Sequence, residues 1–356
     1  MSVNLEIIQT ALSDLKDPET GRTIGSTGQL EGVEVQGEKV VCSVSLSTHS
    51  LPVQDSFRDR ILETAKTCRA GAEDVDVQFS ELDRPPVPLG QIGLSAKSVI
   101  AVGSGKGGVG KSTIATSIAL TLSNMGCKVG LMDADVYGPS IPHLLGISGR
   151  PEVMNGKIQP IYYEKIAVMS MGFMVEEDQA VIWRGPMLHG AITQFLRDTY
   201  WGALDYLIID MPPGTGDIAL TLSQMIPVTG SVVVCTPQQV ALLDAVKAIA
   251  MFAKTKIPVL GMVENMSGFI CPDNGKRYDI FGHGGARLKA EESKVAFLGD
   301  VPLNMQMRSE SDEGRIGNAV LDPVCKPALD KIVQAMCERI NDRAAAQPNG
   351  PALPVL

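Results

Sequence analysis

The run Gly105-Lys106-Gly107-Gly108-Val109-Gly110-Lys111-Ser112 constrains this chain more than any other feature. It satisfies G-x-x-x-x-G-K-[ST] without a mismatch. It stands directly after an apolar run, residues 98–102, and directly before Ile114, Ile118 and Leu122, which recur at helical spacing. Glycines allow successive backbone N–H groups to turn inward around phosphate oxygens. A helix N-terminus adds partial positive charge at the same point. The pattern assigns Lys111 to the β- and γ-phosphates of a nucleoside triphosphate and Ser112 to Mg²⁺. The loop from Gly105 to Ser112, with Thr113, forms the expected nucleotide-binding set.

The surrounding sequence agrees with such a loop. Apolar runs at residues 128–132, 206–209, 231–235, 259–263 and 296–298 alternate with helical segments, one of them at about 241–255. Alternation of this kind predicts a P-loop NTPase of the α/β class, with a mostly parallel sheet covered by helices on both faces. Ahead of it, residues 1–82 read as a small α+β domain. Val3, Ile7, Ile8, Leu12 and Leu15 mark a helix, 40–46 a strand, 57–68 a second helix and 75–79 a second strand. Residues 83–96 are Pro-rich and aperiodic, and read as a linker. The nucleotide-binding domain then spans 97–343, its last helix at about 327–343. Residues 344–356 hold three Pro and a Gly and read as a disordered tail.

Carboxylates follow two of the strands: Asp133 and Asp135 after residues 128–132, and Asp210 after 206–209. Ligands of open α/β sheets bind at such strand ends, and Asp210 fits Mg²⁺ held through water. The N-K-x-D signature of guanine readers is missing, so ATP is expected. Asn265 is a candidate base contact or an ordinary loop residue. The formal net charge of −9 disfavours a nucleic-acid partner. No apolar run reaches membrane-spanning length, and no secretory signal pattern opens the chain, so a cytoplasmic protein without membrane attachment is expected. Seven widely spaced Cys do not suggest a disulfide framework. Cys42, Cys68, Cys127 and Cys235 sit in apolar periodic segments and read as core. His189 and His283 read as solvated loop residues or ligands.

Lys106 adds a resemblance. The pattern Lys-Gly-Gly-x-x-Gly-Lys-[Ser/Thr] is similar to the deviant phosphate loop of the MinD, ParA and nitrogenase iron-protein group. The resemblance implies that Lys106 reaches the nucleotide of a second subunit, that Asp135 orients the attacking water, and that Asp210 is the second acidic strand end. Hydrolysis is then slow and dependent on a homodimer. Asp133-Ala-Asp-Val-Tyr-Gly-Pro-Ser-Ile-Pro142, Trp183-Arg-Gly-Pro186, Trp201-Gly-Ala-Leu-Asp205 and Asp210-Met-Pro-Pro-Gly-Thr-Gly-Asp217 narrow the match to the Mrp/ApbC family of iron–sulfur cluster carrier ATPases. Thr236-Pro-Gln-Gln239, Glu264-Asn-Met-Ser267 and Phe281-Gly-His-Gly-Gly285 extend it. Residues 1–82, marked by Asp17-Pro-Glu19, resemble the small iron–sulfur assembly domain often fused ahead of such ATPases.

The resemblance implies a [4Fe–4S] cluster held between two subunits by a C-x-x-C pair from each and passed to apo-proteins. Here Cys271-Pro-Asp-Asn274 occupies that position, with Asn274 in place of the second Cys. Three outcomes are open. Asp273 or His283 completes the shell, a smaller cluster binds, or the chain works as an ATPase regulator or chaperone without cargo. A MinD/ParA-like positioning role lacks the basic surface it needs. The N-terminal domain departs similarly, with Leu51 where relatives carry Cys.

Overall fold

The apolar spacing at the start of the chain becomes a helix, α1 (Leu5–Ser13), capped by the Asn4 side chain on the Ile7 N–H at 3.3 Å. The computed structural model describes residues 4–37, 39–68, 74–136, 138–174, 185–214 and 216–346. These fall into two compact units: Met1–Pro85 with the chain from Cys337, and Pro86–Met336.

In the first unit, β1 (Leu30–Gln36) pairs antiparallel with β2 (Lys39–Leu46). The helix α2 (Gln54–Thr67) follows a 3-10 turn, Thr48–Val53, that contains Leu51. β3 (Val75–Glu81) then joins β2 in parallel. Ile8 and Leu12 of α1 share a core with Phe57 and Ile61 of α2 and with Val40 and Val44 of β2. Beside it, Asp17 is 1% exposed and accepts hydrogen bonds from the Thr20 hydroxyl (2.6 Å), Gln29 Nε2 (3.0 Å) and Arg84 Nη1 (2.8 Å). Burial alone pushes the Asp17 carboxyl up. The Thr20 hydroxyl, the Arg84 charge and the Gln29 amide outweigh it, and the net direction is down from 3.8. Arg84, expected in the linker, thus completes the first unit.

A carboxyl with a depressed folded pKa contributes stability that is present above its unfolded value and is lost as pH falls through the folded one. Arg84→Ala is therefore expected to destabilise this unit by about 2 kcal/mol at pH 7. The deficit should shrink as pH falls below 3.8, the unfolded value, and through the lower folded one, where Asp17 gains its proton. Hydrogen exchange of peptides from residues 5–81 in the full chain, at both pH values, reads the effect. An unchanged exchange profile at pH 7 removes the role assigned to this pair.

The second unit is built on β4 (Ala96–Gly103), with every residue but Lys97 buried. The helix α3 (Lys111–Asn124) leads to β5 (Val129–Asp133) and the short α4 (Ile141–Leu145). A small hairpin, β6 (Val153–Met154) and β7 (Lys157–Ile158), precedes β8 (Ile161–Tyr163) and β9 (Ile166–Ser170). Then come α5 (Gly185–Asp198), β10 (Leu204–Asp210), α6 (Gly216–Met225), β11 (Gly230–Cys235) and α7 (Gln239–Lys254). The long β12 (Val259–Ile270) turns back into β13 (Arg277–Tyr278), followed by α8 (Gly285–Glu292) and β14 (Phe297–Leu303). Two short helices, α9 (Met305–Asp312) and α10 (Ile316–Val320), lead to α11 (Cys325–Ala346).

The sheet runs β13-β12-β11-β4-β10-β5-β9-β8, with β14 also on β12. All pairs are parallel except β12–β13 and β8–β9 at the two ends. β5, β9, β10 and β11 are buried along their whole length, as strands covered by helices on both faces must be. The α/β fold expected from the apolar runs is therefore present. Among the described residues, no helix is long and apolar enough to cross a membrane.

The C-terminal helix is longer than its sequence pattern suggests. Helix α11 starts at Cys325, because Pro327 falls in its first turn, where a missing N–H costs nothing. It also continues through Ala344, Ala345 and Ala346, the strongest helix formers, rather than ending at Arg343. The rest of the expected tail, 347–356, lies outside the described residues.

Candidate nucleotide site and thiol hairpin

The loop between β4 and α3 is shaped by its sequence. Gly110 has φ +77°, a left-handed conformation that opens α3 with its N–H groups toward the loop. A Cβ there would lie 2.2 Å from Asn265 Nδ2, so only glycine fits. The loops after three adjacent strands are hydrogen-bonded to each other. Ala134 N–H donates to Asp210 O (2.9 Å), Met211 N–H to Val102 O (2.9 Å) and Gly214 N–H to Ser104 O (3.1 Å). Parallel register sets Asp210 opposite both Val102 and Asp133. Carboxylates far apart in the chain thus meet beside the loop.

Lys111 is the centre of this cluster. Its side chain is 6% exposed, and Nζ lies 2.5 Å from Asp210 Oδ1, 3.7 Å from Asp135 Oδ2 and 3.2 Å from Ser112 Oγ. Ser112 Oγ donates to Asp210 Oδ2 at 2.5 Å. Asp210 is fully buried. Desolvation pushes its carboxyl up, the Lys111 charge opposes this, and the net direction is up. Thr113 follows on the first turn of α3, half-buried. Lys106 is also half-buried. Its carbonyl accepts from Ser104 Oγ at 2.9 Å, and its ammonium has no ionic partner among the described residues.

Asp133 has a role that its sequence position alone does not reveal. Its Oδ1 accepts from Asp135 N–H (3.1 Å), and its Oδ2 accepts from Ile141 N–H (3.2 Å) and Ser170 Oγ (3.0 Å). It fastens both ends of the loop that carries Asp135. Burial, with Asp210 nearby, pushes its carboxyl up to about 8. Its partner Ser170 ends β9, a five-residue buried run, Ile166-Ala-Val-Met-Ser170, whose apolar continuity is the signal for it in the sequence.

Asn265 lies against the loop itself: Nδ2 donates to Val109 O at 2.9 Å, and the residue is 7% exposed. Next to it, Glu264 is fully buried. Its carboxylate accepts from Ser267 Oγ (2.6 Å), Gly284 N–H (2.8 Å) and Ala286 N–H (2.7 Å). An anion at the N-terminus of α8 is favoured by the helix dipole. These bonds join the Glu264–Ser267 and Phe281–Gly285 segments, far apart in sequence, into one structure.

Cys271 stands at the start of the β12–β13 turn and is half-buried. The turn is closed by Cys271 N–H to Lys276 O (3.0 Å) and Gly275 N–H to Cys271 O (2.8 Å). Asn274 Oδ1 accepts from Lys276 N–H at 2.9 Å, so its side chain completes the turn. Of the other cysteines, Cys68 is half-buried. Cys42, Cys127, Cys235, Cys325 and Cys337 are buried, and burial pushes the Cys235 thiol up to about 12. His283 Nδ1 lies 2.8 Å from Ser267 Oγ and 2.7 Å from Arg277 Nη2. His189 belongs to α5 rather than a loop, with Nδ1 3.0 Å from Thr221 Oγ1. Among the described residues, no three His, Cys, Asp or Glu gather into a metal-holding set. Trp183 and Arg184, singled out in the sequence, lie outside the described residues.

A family model described as an NUBPL iron-transfer P-loop NTPase matches residues 95–340, and a model described as an iron-sulfur cluster assembly protein matches residues 5–79. An iron-sulfur cluster carrier protein of Deinococcus radiodurans is 43% identical over 343 residues, covering 95% of this chain and 96% of its own. Another, from Escherichia coli K12, is 49% identical over 253 residues, covering 70% and 67%. A solved nucleotide-binding protein of Archaeoglobus fulgidus, in complex with ADP, is 41% identical with a TM-score of 0.57, covering 65% of this chain and 90% of that one. The cell division ATPase MinD of Pyrococcus furiosus, at 21% identity and a TM-score of 0.51, shares the fold.

Proposed function

The chain belongs to the iron-transfer P-loop NTPase family, and from that premise we propose that it is an ATP-hydrolysing carrier whose dimer holds an iron–sulfur cluster as cargo for apo-proteins. The observation that carries this reading is the joint placement of two features. A complete phosphate-loop cluster surrounds Lys111, and an accessible thiol, Cys271, stands on the hairpin that continues β12 past the loop contact at Asn265.

The loop chemistry follows from the ion pairs. Incoming phosphate competes with Asp210 for Lys111. With Lys111 turned to the β- and γ-phosphates, Ser112 Oγ and Asp210 are the groups that would hold Mg²⁺, which would neutralise phosphate charge there. Asp135, whose N–H is held by Asp133, orients the attacking water in this reading. Lys106 supplies charge to the site of a second copy. Asn265 holds the loop and stands ready for the base. A thiolate is a suitable cluster ligand, and two copies bring two of them.

The test is anaerobic reconstitution with iron and sulfide. Cys271→Ala is expected to lower uptake to background. Uptake equal to that of the unmodified protein removes Cys271 as a ligand. Asn274→Cys, which restores the second thiol, is expected to raise the iron retained per dimer.

A second reading rests on one observation. The Asn274 side chain is engaged in closing its own turn, which suits a chain that keeps the ATPase and acts on a partner without cargo. Equal, background uptake by the unmodified protein and Cys271→Ala supports that reading.

A further inference from the structure

We infer that Arg277 couples the phosphate loop to Cys271, acting as a positioning residue through a bulge in β12; this rests on the carrier reading above. The bulge lies between Asn265 and Phe269. There β12 takes two more residues than its partner β14, in which Val301 and Leu303 oppose those two positions. Two residues in it are left-handed, Met266 with φ +57° and Gly268 with φ +69°. A left-handed methionine is held only where neighbours impose it.

The bulge is gripped from both sides. On the nucleotide side, Asn265 at its first position donates to Val109 O inside the phosphate loop. A shift of Val109 or Gly110 around phosphate therefore pulls on the bulge. On the thiol side, Arg277 lies over Gly268 so closely that a Cβ there would be 2.6 Å from its Nε. Its Nη2 donates to Ser267 O (3.2 Å) and to His283 Nδ1 (2.7 Å), and its Nε donates to Asp279 Oδ1 (3.0 Å). Arg277, in β13, pairs directly with Ile270 of β12, the residue before Cys271.

The bulge is also tied to a buried carboxylate. Glu264 anchors Ser267 Oγ and the start of α8, with its carboxylate fully buried. The bulge is thus a short strained segment between a buried carboxylate, a ligand-responsive loop and the hairpin that carries the thiol. A bulge re-aims the strand beyond it, and here that strand ends next to Cys271. A lysine cannot replace Arg277, because one ammonium does not reproduce three bonds in two directions.

The experiment measures the alkylation rate of Cys271 in the full chain by peptide mass spectrometry, with Mg²⁺ and a non-hydrolysable ATP analogue or without nucleotide. Cys271 is read separately from Cys68, and the other five cysteines are buried. The expected result is a change of about fivefold with the analogue, the low end of allosteric couplings. Arg277→Ala is expected to bind the analogue as before and to bring the ratio to about one. His283→Ala, which leaves the Arg277 bonds to Ser267 and Asp279 in place, is expected to fall between them. Absence of nucleotide dependence in the unmodified protein overturns the inference, as does an unchanged ratio in Arg277→Ala. Neither outcome touches the carrier reading, which the iron-uptake test decides separately.

Discussion

Calorimetric titration of Lys111→Ala with ATP is expected to show an affinity at least about 100-fold lower, since charge-assisted hydrogen bonds to two phosphates are each worth about 1.5–3 kcal/mol. The structure adds a second consequence. The Lys111 ammonium, 6% exposed, neutralises Asp210 at 2.5 Å and lies 3.7 Å from Asp135. Asp133 is buried beside Asp210, so the same carboxylate cluster would lose the Lys111 cation. Removing one partner of a buried pair costs about 3–5 kcal/mol, because the remaining charge is stranded. Lys111→Ala should therefore also melt at a lower temperature. Circular dichroism at the titration temperature separates lost binding from lost fold. A folded Lys111→Ala that binds ATP normally means that this loop is not the nucleotide site.

The second large effect is expected from Lys106→Ala. Nucleotide affinity should hold, because the Lys106 ammonium is engaged by no described residue of its own chain. Single-turnover hydrolysis should fall by about a thousandfold, the low end for a charge supplied to a phosphoryl transition state by another subunit. A mixing experiment then distinguishes the two possible geometries. In a dimer of Lys106→Ala with Asp135→Ala, the Lys106→Ala chain keeps its own Asp135 and receives Lys106 from its neighbour. One site of that dimer is complete. Equal mixing of the two inactive variants should restore about a quarter of the activity, if two-fold dimers form at random. No recovery places Lys106 in its own site and removes the dimer from the mechanism.

The phosphate loop is legible in the amino-acid sequence because Gly105 to Ser112 form one unbroken run between a strand and a helix, so backbone geometry alone brings them together. The apolar runs also predict strands β4, β5, β10, β11 and β12, because burial on both faces forces continuous hydrophobicity. Strand β9 is not among the expected strands, although its run Ile166–Ser170 is equally buried. Arg84 reads as linker because it precedes two prolines, yet its guanidinium reaches back 67 residues to Asp17. Asn274 reads in the sequence only as a missing ligand; its bond to Lys276 also makes it a turn residue.

The sequence by itself determined the elements of this protein whose partners are near neighbours in the chain: the phosphate loop, the helix that follows it, the apolar strands and the single thiol in Cys271–Asn274. Tertiary structure alone decided which distant groups share a site. Parallel register set Asp210 beside Asp133, β9 brought Ser170 to the loop of Asp135, and the β12 bulge placed Asn265 against Val109 and Arg277 over Gly268. The physical reason is common to all three. Strand register and helix packing are set by the whole buried core, so no local pattern in the sequence records where two such side chains meet.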